Sequence, residues 1–298
     1  MLRRGTYSIV ARDPATGEVG AAVQSHWFST GSIVTWAQPG VGAVCTQSVA
    51  EPSYGPDMLE RMAADTAPSP ALDALLAADE QRRFRQVAAV SAAGEVAVHT
   101  GDGCIPFAGH QPGDGFSCQA NMMASDAVWP AMAAAFTATE GPLARRLLAA
   151  LDGAEGAGGD VRGRQSAALV VAPAAGEHWR KTVDLRVDDH PEPLDELRRL
   201  LDLHDAYTLA SEGDDLSGKG RHDEAADAYR RSEALAPDSH ELMFWAGLSA
   251  FALGDHEEGL AAVRRAIALQ PGWAELLPRL SPEIAPSAAA VATALGLA

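Results

Sequence analysis

The chemistry open to this chain starts at a threonine near its beginning. Gly5-Thr6 precedes Tyr7-Ser8-Ile9-Val10-Ala11, which reads as a strand. A threonine hydroxyl is a weak nucleophile without a base beside it. A cut after Gly5 would supply that base as the freed α-amine of Thr6. Its ordinary pKa of about 7.7–8.0 leaves it partly neutral at working pH. This is the N-terminal-threonine form of the nucleophile-and-base pairing. The plainer reading of Thr6 is a β-branched strand residue. Further polar clusters interrupt the apolar runs. Gln24-Ser25-His26 follows a second strand and offers His26 as a base or positioning group. Thr46-Gln47-Ser48, with Glu51-Pro52-Ser53-Tyr54, covers a strand end and the loop beyond it, where sites often lie. Thr100-Gly101-Asp102-Gly103, Gln119-Ala120-Asn121-Met122 and Gly158-Gly159-Asp160-Val161-Arg162-Gly163 complete the set. Gly-rich turns let backbone amides approach a ligand closely and can form an oxyanion site. The alternative for each cluster is a tight turn with solvated polar groups. Cys104, His110 and Cys118 match no zinc spacing, and Gly101-Asp102-Gly103 lacks the Gly-Lys-Ser/Thr of a phosphate loop. No metal or cofactor is expected.

The elements that must position these residues can be read along the chain. Tyr7–Ala11 and Val19–Val23 flank an Asp-Pro-Ala-Thr-Gly turn and form a hairpin. Ser32–Trp36 and Gly42–Thr46 read as two more strands. Helices follow over about 56–64 and 71–78, the second with Ser69 as N-cap and Pro70 at its first position. A second hairpin covers 86–100. Residues 101–119 read as loop with a short strand. Helices over about 125–138 and 142–153 precede a last buried strand at Ala167–Val171. This order predicts an α+β domain of antiparallel sheets covered by helices. His190-Pro191-Glu192-Pro193 reads as a linker, dividing a domain over 1–187 from an all-helical one over 194–298. The helical part carries an internal repeat. Gly220, His222, Glu224, Arg230-Arg231, Ala234-Leu235 and Pro237 recur 34 residues later as Gly254, His256, Glu258, Arg264-Arg265, Ala268-Leu269 and Pro271. That period resembles the tetratricopeptide repeat, a helix-turn-helix unit whose stacks present concave protein-binding surfaces.

Length and composition bound the class. The chain has 298 residues, enough for two domains, with 47% hydrophobic and 21% charged residues. Its net charge of −17 argues against nucleic acid and anionic membrane as partners, since phosphate recognition needs clustered Lys and Arg. No apolar run of membrane-spanning length occurs, and Met1-Leu2-Arg3-Arg4 is followed by no apolar segment of a secretory signal. Three cysteines make no disulfide framework. A cytoplasmic protein is expected, and a homodimer from the frequency of cyclic pairs.

Several of these motifs, in this order, resemble the DUF1028 family: Thr6–Pro14, Gly40-Val41-Gly42-Ala43-Val44, Thr46-Gln47, Tyr54-Gly55, Thr100-Gly101, Gly158-Gly159-Asp160, Arg162-Gly163 and Gln165-Ser166-Ala167. The resemblance covers residues 6 to about 185. It implies similarity in fold to the N-terminal-nucleophile (Ntn) hydrolases, a four-layer αββα sandwich. It also implies amide-bond cleavage with Thr6 as nucleophile. Family members often carry this threonine directly after the initiator methionine; here Leu2 to Gly5 intervene, so exposure requires cleavage at Gly5-Thr6. His26 stands where members often have lysine.

On that basis the expected activity is hydrolysis of a small amide. Thr6 is the nucleophile, and His26 or Ser25 assists proton transfer. Asn121 and the amides of Gly158-Gly159 face the oxyanion. Gln47, Ser48, Glu51, Tyr54 and Thr100 bind substrate. Asp160 and Arg162 either bind substrate or orient neighbours, Arg162 through a substrate carboxylate, or they form a structural ion pair within their loop. The alternative is an unprocessed, non-catalytic domain that binds a small ligand, with a protein-docking helical tail. Without a cut at Gly5, Ser25, Ser48 and Cys45 are the other candidate nucleophiles.

Overall fold

The computed structural model describes residues 5–297; the basic start, Met1 to Arg4, and Ala298 lie outside them. The chain forms two compact units that divide between Arg198 and Arg199.

The first unit holds two antiparallel sheets. The strands are β1 (Thr6–Arg12), β2 (Val19–Ser25), β3 (Thr35–Gln38), β4 (Gly42–Ser48), β5 (Arg85–Ser91), β6 (Val96–Thr100), β7 (Gly109–Gly113), β8 (Phe116–Asn121), β9 (Ser166–Ala172) and β10 (Val183–Val187). Six make one sheet in the order β10-β9-β2-β1-β8-β7, and four make the other, β3-β4-β5-β6. The helices are α1 (Gly31–Val34), α2 (Tyr54–Ala63), α3 (Pro68–Ala78), α4 (Val128–Ala138) and α5 (Leu143–Gly156).

Strand alternation explains how the sheets meet. Successive side chains point to opposite faces, so one parity of each strand shares a face. Val10, Val19, Ala21, Val23, Ala43, Cys45, Ala88, Val90, Ala168 and Val170 form one apolar cluster drawn from both sheets. The opposite face of the four-stranded sheet, with Val44, Val87, Ala89 and Ala97, packs on Tyr54, Met58, Leu59 and Met62 of α2 and on Ala71 and Leu72 of α3. Helix α5 lies against β1, β2 and β9, and α4 against β7 and β8.

Moving along the shared inner parity toward one end of the strands, the apolar residues give way to Thr6 and Ser8 on β1, Ser25 on β2, Gln47 on β4, Gln86 on β5, Gln119 and Asn121 on β8 and Ser166 on β9, all buried. Polar groups in such a place must find partners or cost stability.

Four parts of the unit differ from the sequence expectation. Ser32–Trp36 is not one strand: Val34 N–H donates to the Thr30 carbonyl at 3.1 Å and the turn closes as α1 before β3 begins at Thr35. Burial of Val34 between the sheets overrides its strand propensity. Residues 109–121 hold the β7–β8 hairpin. Gly109-His110-Gln111-Pro112-Gly113 hides its strand because an edge strand tolerates proline and needs no apolar alternation. A further edge strand, β10, follows β9, paired from Val183–Val171 to Val187–Ala167. Helix α3 also starts at Pro68, with Ala67 rather than Ser69 at its N-cap.

Helix α6 (Pro193–Gly218) starts at the end of the first unit and the boundary falls within it. The second unit continues through α7 (His222–Leu235), α8 (His240–Ala252), α9 (His256–Leu269), α10 (Gly272–Leu276) and α11 (Ala288–Leu295). Helices α7 and α9 start at the equivalent histidines of the sequence repeat. Helices α8, α9 and α11 close on a core of Phe244, Leu248, Val263, Leu277 and Val291, where Phe244 stacks on Trp273 with ring centroids 4.4 Å apart.

Candidate functional site

At the polar end of the inter-sheet layer, Thr6 opens β1 with Ser25 paired to it on one side and Asn121 on the other. Thr6 is 2% exposed. Its Oγ1 lies 3.0 Å from Ser25 Oγ. Ser25 O–H donates to the carbonyl oxygen of Gly5, which leaves its own oxygen to accept the Thr6 hydroxyl proton. Thr6 hydroxyl, Ser25 hydroxyl and Gly5 carbonyl thus form one directed chain of hydrogen bonds. The same carbonyl oxygen accepts from Arg162 Nη2 at 2.7 Å.

Arg162 is held in turn by Asp160. Its Nη2 and Nε donate to the two carboxylate oxygens at 2.6 and 3.0 Å, and its backbone N–H donates to Oδ1 at 2.9 Å. The Asp160 side chain is fully buried. A bidentate pair of this kind fixes the plane of the guanidinium.

The carbonyl on the other side of Thr6 is held by amides. Gln47 Nε2 donates to Thr6 O at 3.3 Å and Asn121 Nδ2 at 3.4 Å. Both nitrogens also donate to a single oxygen, Gln86 Oε1, at 2.8 and 2.9 Å. Gln86 Nε2 donates to Thr100 Oγ1 at 2.9 Å and to the carbonyls of Gly109 and Ala120. Thr100 Oγ1 lies 2.9 Å from His110 Nδ1, and burial pulls the His110 imidazole below its usual pKa. Ser8 O–H donates to Gln47 Oε1 at 2.6 Å, and Gln119 Nε2 donates to Ser8 Oγ at 2.6 Å. On the opposite face of β1, Tyr7 O–H donates to Glu155 at the end of α5. Burial first, and the Glu155 carboxylate second, push that phenol well above its usual pKa.

A match to the family described as "family of unknown function (DUF1028)" covers residues 6–197. The chain belongs to this DUF1028 family. A tetratricopeptide repeat match covers residues 211–272. The chain is similar to the crystal structure of protein SPO2555 from Silicibacter pomeroyi, itself matched to DUF1028, at 31% identity and a TM-score of 0.61, over 66% of this chain and 88% of that one. No curated protein matches it.

Within this DUF1028 unit, the residues singled out in the sequence divide into two groups. Thr6, Ser25 and Arg162, the last held by Asp160, gather at the Gly5 carbonyl; Gln47 and Asn121 hold the Thr6 carbonyl instead, and Thr100 joins them through Gln86. His26 gives only its backbone N–H to this cluster, 3.4 Å from Asp160 Oδ2. Its imidazole turns outward, with Nδ1 3.2 Å from the Arg164 carbonyl. The expected role of His26 in proton transfer at Thr6 therefore has no geometry behind it. Glu51 and Tyr54 also point elsewhere. Glu51 Oε1 accepts from Ser53 N–H at 3.3 Å, and Tyr54 O–H donates to Asp79 at 3.1 Å, on the α2–α3 side of the four-stranded sheet. Ser48 ends β4 with a φ of 70°. The Gly158 and Gly159 amides are spent as well: they donate to the carbonyls of Glu155 and Ala154 at 3.0 Å each, closing the end of α5, so they face no oxyanion. The Arg162 edge expected to take a substrate carboxylate is filled by Asp160. Cys45 is a poor nucleophile, since burial pushes its thiol up to about 12.

Gln86 is the site residue that the sequence reading treats as an ordinary strand position. A signal for it exists: it is a polar side chain on the inner parity of an otherwise apolar strand.

In the second unit, helices α6 to α9 line a groove of about 520 Å³ that includes Tyr207, Asp214, Tyr229, Glu241, Trp245 and Arg265. The tetratricopeptide repeats of this unit suggest protein interaction. Among the described residues no helix is long and apolar enough to cross a membrane.

Proposed function

We propose that the DUF1028 unit is an Ntn-type amidohydrolase of αββα architecture, acting on a small amide with Thr6 as nucleophile. The carrying observation is the directed chain from the Thr6 hydroxyl through Ser25 to the Gly5 carbonyl. In the uncut chain this geometry suits self-cleavage. Thr6 Oγ adds to the Gly5 carbonyl carbon, its proton passes to Ser25, and the Ser25 proton passes to the Gly5 oxygen. Breaking the C–N bond, as the hydroxyl proton of the adduct passes to nitrogen and C=O re-forms, leaves Gly5 as an ester on Thr6 Oγ and frees the Thr6 amine. Water then releases the segment ending at Gly5. Burial of Gly5 and Thr6 speaks against an outside protease reaching this bond. Once freed, the amine takes the proton of Thr6 Oγ–H when substrate binds, and Asn121 and Gln47 hold the Thr6 carbonyl so that the hydroxyl keeps its aim.

The test is the intact mass of the purified full chain with N-terminal sequencing. A chain beginning at Thr6, and a Thr6→Ala variant that keeps its leading residues, support the proposal. A wild-type chain that retains Gly5 after long incubation overturns it. In the processed enzyme, hydrolysis requires the neutral amine. The rate is therefore expected to rise with pH and level off above about pH 8, measured as kcat/KM on an amide substrate.

A further inference from the structure

Resting on that reading, we infer that Arg162 is the group that polarises the scissile carbonyl, and that the acyl side of the site takes only an α-carbon bearing no side chain. The substrate class is then glycyl and other α-unsubstituted acyl amides.

Two observations carry this. First, the Gly5 carbonyl oxygen already sits where a reacting carbonyl must sit, bonded to Arg162 Nη2 at 2.7 Å and to Ser25 O–H. The acyl group of a substrate becomes attached to the same Thr6 Oγ as the Gly5 acyl group, so the two occupy one place in turn. Asp160 aims the guanidinium through two carboxylate bonds and is fully buried, so the donor is set before charge develops on the oxygen. A cation that keeps its plane and position stabilises an oxyanion without having to reorganise. The neutral amides of Asn121 and Gln47 point to the Thr6 carbonyl instead.

Second, the walls around the Gly5 α-carbon leave no room. A Cβ there would meet Asp160 Oδ2 and Met122 Cβ at 2.8 Å each, and Arg162 Nη2 at 3.0 Å. Asp160 is clamped by Arg162, so a side chain on the acyl α-carbon would push apart the pair that polarises the carbonyl. Met122 has a φ of 59°, a left-handed conformation at the end of β8 that presents its Cβ to this space. Discrimination against a methyl group is thus coupled to catalysis rather than to binding alone.

The full-length chain tests this in two measurements. The first follows loss of the segment ending at Gly5 by intact mass over time, for wild type, Thr6→Ala, Arg162→Gln and Arg162→Lys, each checked for an unchanged fold by its melting curve. Arg162→Gln is expected to slow release about 10²–10³-fold, with Arg162→Lys in between, because it keeps the charge without the fork that Asp160 orients. Release by Arg162→Gln at the wild-type rate overturns the role of Arg162 while leaving Thr6 as nucleophile. A wild type that never releases the segment removes the reading beneath it, and this inference with it. The second measurement compares glycyl and alanyl p-nitroanilides on the processed enzyme. A kcat/KM at least 100-fold higher for glycyl supports the restricted acyl site; equal values overturn it.

Discussion

Gln86 shows how one buried side chain can hold a site without touching the groups that react. Its carbonyl oxygen accepts from both Gln47 and Asn121, and its nitrogen is spent on Thr100 and two backbone carbonyls. Replacing it with leucine would take the closest acceptor from both amides and a donor from the Gly109 and Ala120 carbonyls in a buried layer, at about 1–3 kcal/mol for each group left unpaired. Gln86→Leu is therefore expected to lose about 3 kcal/mol, a fall in melting temperature of about 6–12 °C for a unit of this size, read by thermal denaturation. The asparagine and glutamine that grip Thr6 were legible in the sequence as polar residues at strand ends. Gln86 was less so, because a lone glutamine in a strand reads equally well as a solvated edge position.

At the scale of elements, the turn between α3 and β5 depends on an ion pair. Asp79 follows α3 and binds Arg85 at the start of β5, with Nε–Oδ2 at 2.7 Å, and also accepts from Tyr54. Both charged side chains are largely buried. The Arg85 hydrogen bond is the first cause holding the Asp79 carboxyl below its usual pKa, while burial opposes it. Folding thus favours the carboxylate. The stability this adds is complete above about pH 4, the ordinary carboxyl value, and is lost as pH falls through the lower folded value. Asp79→Asn is expected to cost about 2 kcal/mol at pH 7, and the gap between mutant and wild-type melting curves should close as the pH falls through the lowered folded value of Asp79. The helices and most strands of this unit follow from periodicity alone. The elements that escape it, α1, β7 and β10, are short. Two of them lie at sheet edges, where pairing rather than side-chain pattern makes the strand.

For the whole molecule, charge is the dominant long-range term. With 40 acidic against 23 basic residues, a net charge of −17 opposes compaction through self-repulsion. Salt shortens the Debye length from about 30 Å at 0.01 M to about 8 Å at 0.15 M, so the melting temperature is expected to rise over that range. A fall would mean that the surface ion pairs, such as Arg198–Asp152 and Arg221–Glu224, outweigh the net repulsion.

By itself the sequence determined the antiparallel α/β pattern, the helical repeat with its period of 34 residues, and Thr6 as a hydroxyl poised at a strand start. These are local properties, set by residue type and by spacings within a few turns of chain. Only the tertiary structure decided which polar residues share an end of the sheets. Asn121 meets Thr6 across 115 positions, and Arg162 meets Gly5 across 157. It also turned the His26 ring away from Thr6 and spent the Gly158 and Gly159 amides on closing α5. The physical reason is that strand pairing brings distant residues together in a register set by burial of the whole inner face, and one residue's neighbours along the chain carry no record of that register.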